Sequence, residues 1–217
     1  MPFEFRFIPG TYPPAPGHCL RKGNRRSPSY ITEKTVTDKG DNKSLEIRKR
    51  IGLKSNDPLD CLVLSKELGI PIVTLSDLNE LGFPREYFMR LRSQDSDFFA
   101  CMVQTPAGLI LINNHNSSQK RSNSNIVHEL SHVICEHNFS TTIPINGSIL
   151  REFDKDCEDE ANWLAGSLLL PREGLIWACR KGFTINQISQ HFGASEQMSK
   201  WRFNITGVNK QLSGRKN

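Results

Sequence analysis

His128-Glu129-Leu130-Ser131-His132-Val133-Ile134-Cys135-Glu136-His137 is the stretch on which the reading of this chain turns. Its first five residues form the pattern His-Glu-x-x-His. In an α-helix, residues four apart share one face, about 5.4 Å apart along the axis. His128 and His132 can therefore reach one metal ion together. Glu129, about 100° further round the helix, can stand beside a water bound to that ion. Val127, Leu130 and Ile134 recur on a second stripe suited to burial. One helix thus offers a metal face and a core face.

Two histidines do not complete a catalytic zinc site, which takes three protein ligands and leaves a position for water. The downstream candidates are His137, His191 and a carboxylate in the acidic run Asp154–Glu160. Residues 154–171 read as a helix with acids in its first turn, where they complement the helix dipole, and Pro171 after its end. At 3.6 residues per turn, Glu158, Ala161, Asn162, Ala165, Leu168 and Leu169 share a face. Glu160 falls instead with Trp163, Leu164 and Ser167. A carboxylate at the head of a stripe of alanines and leucines is costly unless something binds it. Glu158 is therefore the expected third ligand. Asn162, one turn on, is placed to hydrogen-bond the outer nitrogen of a ligand histidine and fix its tautomer. His137, five positions past His132, is rotated well off the metal face and is the poorer third ligand, and His191 lies in a separate helix.

With Glu158 placed, the chain resembles the ImmA/IrrE family of zinc metallopeptidases. The matching residues are His128-Glu129-Leu130-Ser131-His132, with His137 following, and the run from Glu158-Asp159-Glu160-Ala161-Asn162 through Leu168-Leu169-Leu170-Pro171. Similarity extends over roughly residues 41–205, and Ser131 stands where the family most often has glycine. The resemblance implies a gluzincin-type, zincin-like fold, with His128, His132 and Glu158 on Zn2+ and Glu129 as catalytic base. It also implies a bacterial, mobile-element or phage role in which a helix-turn-helix transcriptional repressor is the protein substrate. The expected reaction is endopeptidase cleavage by Glu129-assisted attack of a zinc-bound water. Such enzymes usually add an oxyanion donor. No tyrosine follows Tyr87, which leaves His191, Arg172, Arg180, a backbone amide or no donor at all for that role.

The rest of the chain reads as α+β around this helix. Leu45, Ile47, Ile51 and Leu53 keep a helical period that stops at Gly52. Asp57-Pro58 reads as a cap and first position of a helix to Leu68, ended by Gly69. Residues 70–75 form a strand, and residues 84–91 a helix or turn. Residues 97–103 and 108–113, separated by Thr105-Pro106-Ala107-Gly108, form a hairpin. The expectation is a small antiparallel or mixed sheet beside the motif helix, which follows the polar stretch Asn114–Asn125. The polar insert Asn138–Arg151 is long enough to wall one side of a cleft. Thr184–Phe192, Gly193-Ala194 and Ser195–Asn204 read as helix, turn, helix.

Three units are therefore expected: a basic, Pro/Gly-rich, flexible arm at 1–40, a zinc metallopeptidase core at 41–183, and a helix-turn-helix-like helical annex and tail at 184–217. Phe3, Phe5 and Phe7 alternate as an edge strand would. The net charge of +5 sits at the front of the chain. Residues 1–50 hold eleven Lys/Arg against five Asp/Glu, and the remainder seventeen against eighteen. Binding of nucleic acid by the folded part is consequently not favoured. The alternative function is a DNA-binding regulator or protein-interaction module with a structural zinc, for which Lys200 and Arg202 of the last helix are the cationic support. No run approaches the roughly 20 apolar residues of a membrane span, and no signal-type core opens the chain. Six scattered cysteines without a Cys-x-x-Cys pair fit a reducing compartment. A cytoplasmic protein is expected.

Overall fold

The computed structural model describes residues 30–74, 77, 100–114, 118–137, 141–145, 148–152 and 155–208. The phenylalanine alternation at 3–7, the helix or turn at 84–91 and the tail beyond 208 lie outside these residues. The architecture is α+β with a mixed sheet. Helix α1 (Tyr30–Arg50) begins eleven residues ahead of Asp41, inside the segment read as an arm. Helix α2 spans Cys61–Leu68. Its cap is Asp60, whose carboxylate accepts from Leu62 N, and not Asp57, which instead accepts from Lys54 N at 2.8 Å. At the other end Gly69 takes the left-handed conformation that a residue without Cβ adopts at no steric cost.

Among the described residues five strands form one sheet in the order β1-β3-β2-β5-β4. They are β1 (Ile72–Thr74), β2 (Ala100–Thr105), β3 (Gly108–Asn113), β4 (Thr141–Ile145) and β5 (Ser148–Glu152). The expected hairpin is β2–β3, with Thr105 paired to Gly108 across its turn. β1 runs parallel to β3, and every other pair is antiparallel. The insert read as a cleft wall is the β4–β5 hairpin. β5 pairs with β2 at Val103 and Gln104.

Helix α3 (Gln119–Ile134) carries the motif and packs on β2 and β3. Ser118 caps it through its Oγ, so most of the stretch read as a polar approach is helix. Ser122, Asn123 and Ser124 are buried in it. Ser122 pairs with Asn113 at the end of β3. Asn123 accepts from Cys61 N at the start of α2 and donates to Gly193 O. Ser124 accepts from Ser195 N. Serine and asparagine are indifferent helix formers, and here buried partners hold them in place.

Four further helices lie among the described residues: α4 (Lys155–Leu169), α5 (Arg172–Arg180), α6 (Ile185–Phe192) and α7 (Glu196–Ile205). The stripe Ala161, Ala165, Leu168, Leu169 of α4 is fully buried, as its periodicity required. Ile188 and Phe192 of α6 and Met198 and Trp201 of α7 join the same core as Leu64, Leu111, Val127 and Leu130. Arg202, offered by the sequence as a surface cation, is 1% exposed. It pairs with Asp41 of α1, and its Nε donates to Leu170 O at 3.3 Å. Arg48 of α1 is equally buried and donates to Leu168 O at 2.6 Å. Two guanidinium groups from distant parts of the chain thus serve the carbonyl end of α4, whose own last turn has no basic residue. Lys43 of α1 does the same for α3 at Ile134 O. None of the five described cysteines forms a disulfide. Among the described residues no helix is long and apolar enough to cross a membrane.

Candidate metal centre

The two halves of the centre come from α3 and α4, which lie against each other. One turn of α3 presents His128 and His132 side by side, and the first turn of α4 presents Glu158 opposite them. The donor atoms converge. His128 Nε2 lies 3.1 Å from Glu158 Oε2, His132 Nε2 lies 3.4 Å from Glu158 Oε1, and the two Nε2 atoms are 3.3 Å apart. Donors held about 2.0–2.1 Å from one tetrahedral ion sit about 3.3 Å from each other. The spacing of this trio therefore fits a zinc ion, and two nitrogens with one carboxylate are a donor set that zinc accepts. Among the described residues, one other group of such side chains gathers closely enough to hold an ion: Cys135, His137 and Glu160.

Electrostatics within the trio follow from burial and from the donors themselves. Burial pushes the His132 imidazolium down to about 4, so the ring is neutral near pH 7. His128 feels the same desolvation, but its hydrogen bond to Glu158 and the charge of Glu129 outweigh it and raise the pKa. Desolvation also works to raise Glu158. Its bonds to His128 and His132 prevail and hold the carboxyl well below the usual range. Glu129 stands beside this pair on the adjoining face of α3. Burial raises it to about 7, with the His128 charge and the Met102 N–H of β2 opposing the rise. A carboxylate poised near neutrality can take up and release a proton.

Asn162 makes a side-chain hydrogen bond to His128. The corresponding support behind His132 escaped the sequence reading. His132 Nδ1 lies 3.0 Å from His137 Nδ1, and His137 Nε2 lies 3.1 Å from Glu160 Oε2. Helical rotation places His137 off the metal face only where the helix continues. In fact α3 ends at Ile134, and Glu136 turns the chain through a left-handed conformation at φ 57°. His137 N then bonds His132 O at 3.1 Å and the ring folds under its neighbour. Glu160, on the other side of α4 from the stripe that Glu158 heads, meets it there. A non-glycine residue in the left-handed region was the one feature that could have revealed this, and it cannot be read from a sequence.

His191, one of the possible oxyanion donors, is occupied elsewhere. Its Nε2 lies 2.8 Å from Asn56 O, and its ring packs against Trp177, Phe183 and Phe192. Arg180 is exposed at the last turn of α5.

No curated protein and no solved structure matches the chain. A family model does: the peptidase family M78, described as the IrrE N-terminal-like domain, matches residues 66–204. That span is more than half of the chain and contains both the His128–His132 pair and Glu158. α1 and most of α2 precede it. With its converging donors inside a matched peptidase domain, the chain belongs to the M78 peptidase family.

Proposed function

We propose that the chain is a zinc-dependent endopeptidase with His128, His132 and Glu158 as metal ligands and Glu129 as the catalytic base. The observation that carries this reading is the convergence of three donor atoms at tetrahedral spacing, with a fourth side chain of about neutral pKa beside them. Membership of a peptidase family supplies the reaction class. When bound, zinc supplies a Lewis acid that polarises the scissile carbonyl and acidifies a coordinated water.

The protein's own part is orientation and proton transfer. Glu129 accepts the proton of the attacking water and passes it to the departing amine. The Met102 N–H holds that carboxylate at the edge of β2, so its free oxygen can face the substrate. Asn162 fixes the His128 ring. The β4–β5 hairpin lies between the two donor helices in the sequence and extends the sheet beyond β2. The substrate is a helix-turn-helix transcriptional repressor in the cytoplasm, as the resemblance to the ImmA/IrrE peptidases suggests. The rival DNA-binding reading loses support with Arg202, which is buried against Asp41 and leaves exposed Lys200 without the second cation it was paired with in that reading.

The test is incubation with any helix-turn-helix repressor found encoded near this protein's gene. Cleavage is expected, with loss on chelation and recovery on adding zinc. Glu129→Gln should retain the metal and lose roughly 10²–10⁴-fold in rate. A Glu129→Gln protein that holds zinc and cleaves at the full rate would sink the proposal.

A further inference from the structure

His132 uses one ring nitrogen for the donor trio and the other for His137. The second contact has a chemical consequence. A neutral imidazole carries one N–H and one lone pair, so two neutral rings meeting Nδ1 to Nδ1 at 3.0 Å need one donor and one acceptor. If the Nε2 lone pair of His132 is kept for a metal, its proton sits on Nδ1 and is donated to His137 Nδ1. His137 must then carry its own proton on Nε2, where Glu160 Oε2 receives it at 3.1 Å. The ionised carboxylate can only accept. Every position in the chain is thereby assigned from its two ends.

We propose that His137 and Glu160 are positioning residues that lock His132 in the Nδ1–H tautomer and aim its Nε2 at the metal. The proposal rests on the metal site put forward above. Burial strengthens the inner contact, since the side chains of His132 and His137 are 2% and 5% exposed, while Glu160, half exposed, receives the outer end of the relay at the surface. The left-handed Glu136 is the backbone feature that delivers His137 to this place.

The same residues, with Cys135, have the spacing of a second metal site. Tautomers argue against filling both. An ion on His137 Nε2 would move that ring's proton to Nδ1, where His132 would have to accept it. His132 would then carry its own proton on Nε2 and lose the lone pair that the first ion needs. The chain should therefore bind one ion, with the Cys135 thiol outside its coordination sphere.

Zinc titration of the full chain against a chromophoric chelator tests this, together with histidine 15N NMR of the zinc-loaded protein. Expected are one equivalent of zinc, His132 protonated on Nδ1 and His137 protonated on Nε2. His137→Phe and Glu160→Leu should each weaken zinc by about 10–100-fold. His137→Gln, whose carbonyl can still accept from His132, should recover part of the loss. NMR on the unaltered protein keeps the test valid if a variant misfolds. Zinc affinity unchanged in folded His137→Phe, or His137 protonated on Nδ1, overturns the proposal. So do two equivalents of zinc, one of which Cys135→Ser removes. Failure of the underlying metal site would look different, because zinc affinity would then survive His128→Ala and Glu158→Ala.

Discussion

At the scale of single residues, the centre is a contest between desolvation and pairing. His128, His132, Glu129 and Glu158 share one environment yet titrate in different directions, because each has different partners. A consequence can be measured. At the proposed site zinc would bind the neutral ring of His128, whose pKa is raised in the metal-free protein, so an ion would have to displace a proton. Lowering the pH through that titration fills the ring with protons and weakens zinc; raising it strengthens zinc. Calorimetric titrations in buffers of different ionisation enthalpy should show proton release that shrinks as the pH rises. Binding independent of pH between 5 and 8 would count against His128 as a ligand. That His128, His132 and Glu158 come together was legible, because helical periodicity separates Glu158 from Glu160 without any knowledge of the fold. The His137–Glu160 support was not, since it depends on where α3 stops and on one left-handed residue.

Among the elements, α3 and α4 matter most, and both are finished by side chains that the sequence does not advertise. Arg48 reads as one of three basic residues closing α1. It is instead buried, donating to Leu168 O at the end of α4 and to Lys54 O in the following loop, at 2.6 Å each. Arg48→Met should fill similar space while leaving those carbonyls without a donor, and cost about 2–4 kcal/mol. Urea denaturation with an unchanged m-value would check it. A loss below about 0.5 kcal/mol would mean that the guanidinium adds little beyond bulk. The element order was largely readable from periodicity and from punctuation such as Gly69 and Thr105–Gly108. What failed were boundaries set by tertiary partners. Asp60 displaced Asp57 as a cap, and buried Ser122, Asn123 and Ser124 extended α3 into a stretch that looks like loop.

For the molecule as a whole, one core joins the N-terminal helix α1, the peptidase sheet and the last helices. α1 precedes the matched family span, yet Asp41, Lys43 and Arg48 tie it to α7, α3 and α4. An ion bridging α3 and α4 would stabilise this folded body and not the unfolded chain. Zinc at a hundred times its dissociation constant should add about 2.7 kcal/mol, seen as a rise in Tm that chelation reverses. The most direct test of the central claim is anomalous diffraction at the zinc absorption edge from crystals of the zinc-loaded protein. One peak bonded to His128 Nε2, His132 Nε2 and Glu158 is predicted. A peak on Cys135, His137 and Glu160, with none between the first three, would contradict it.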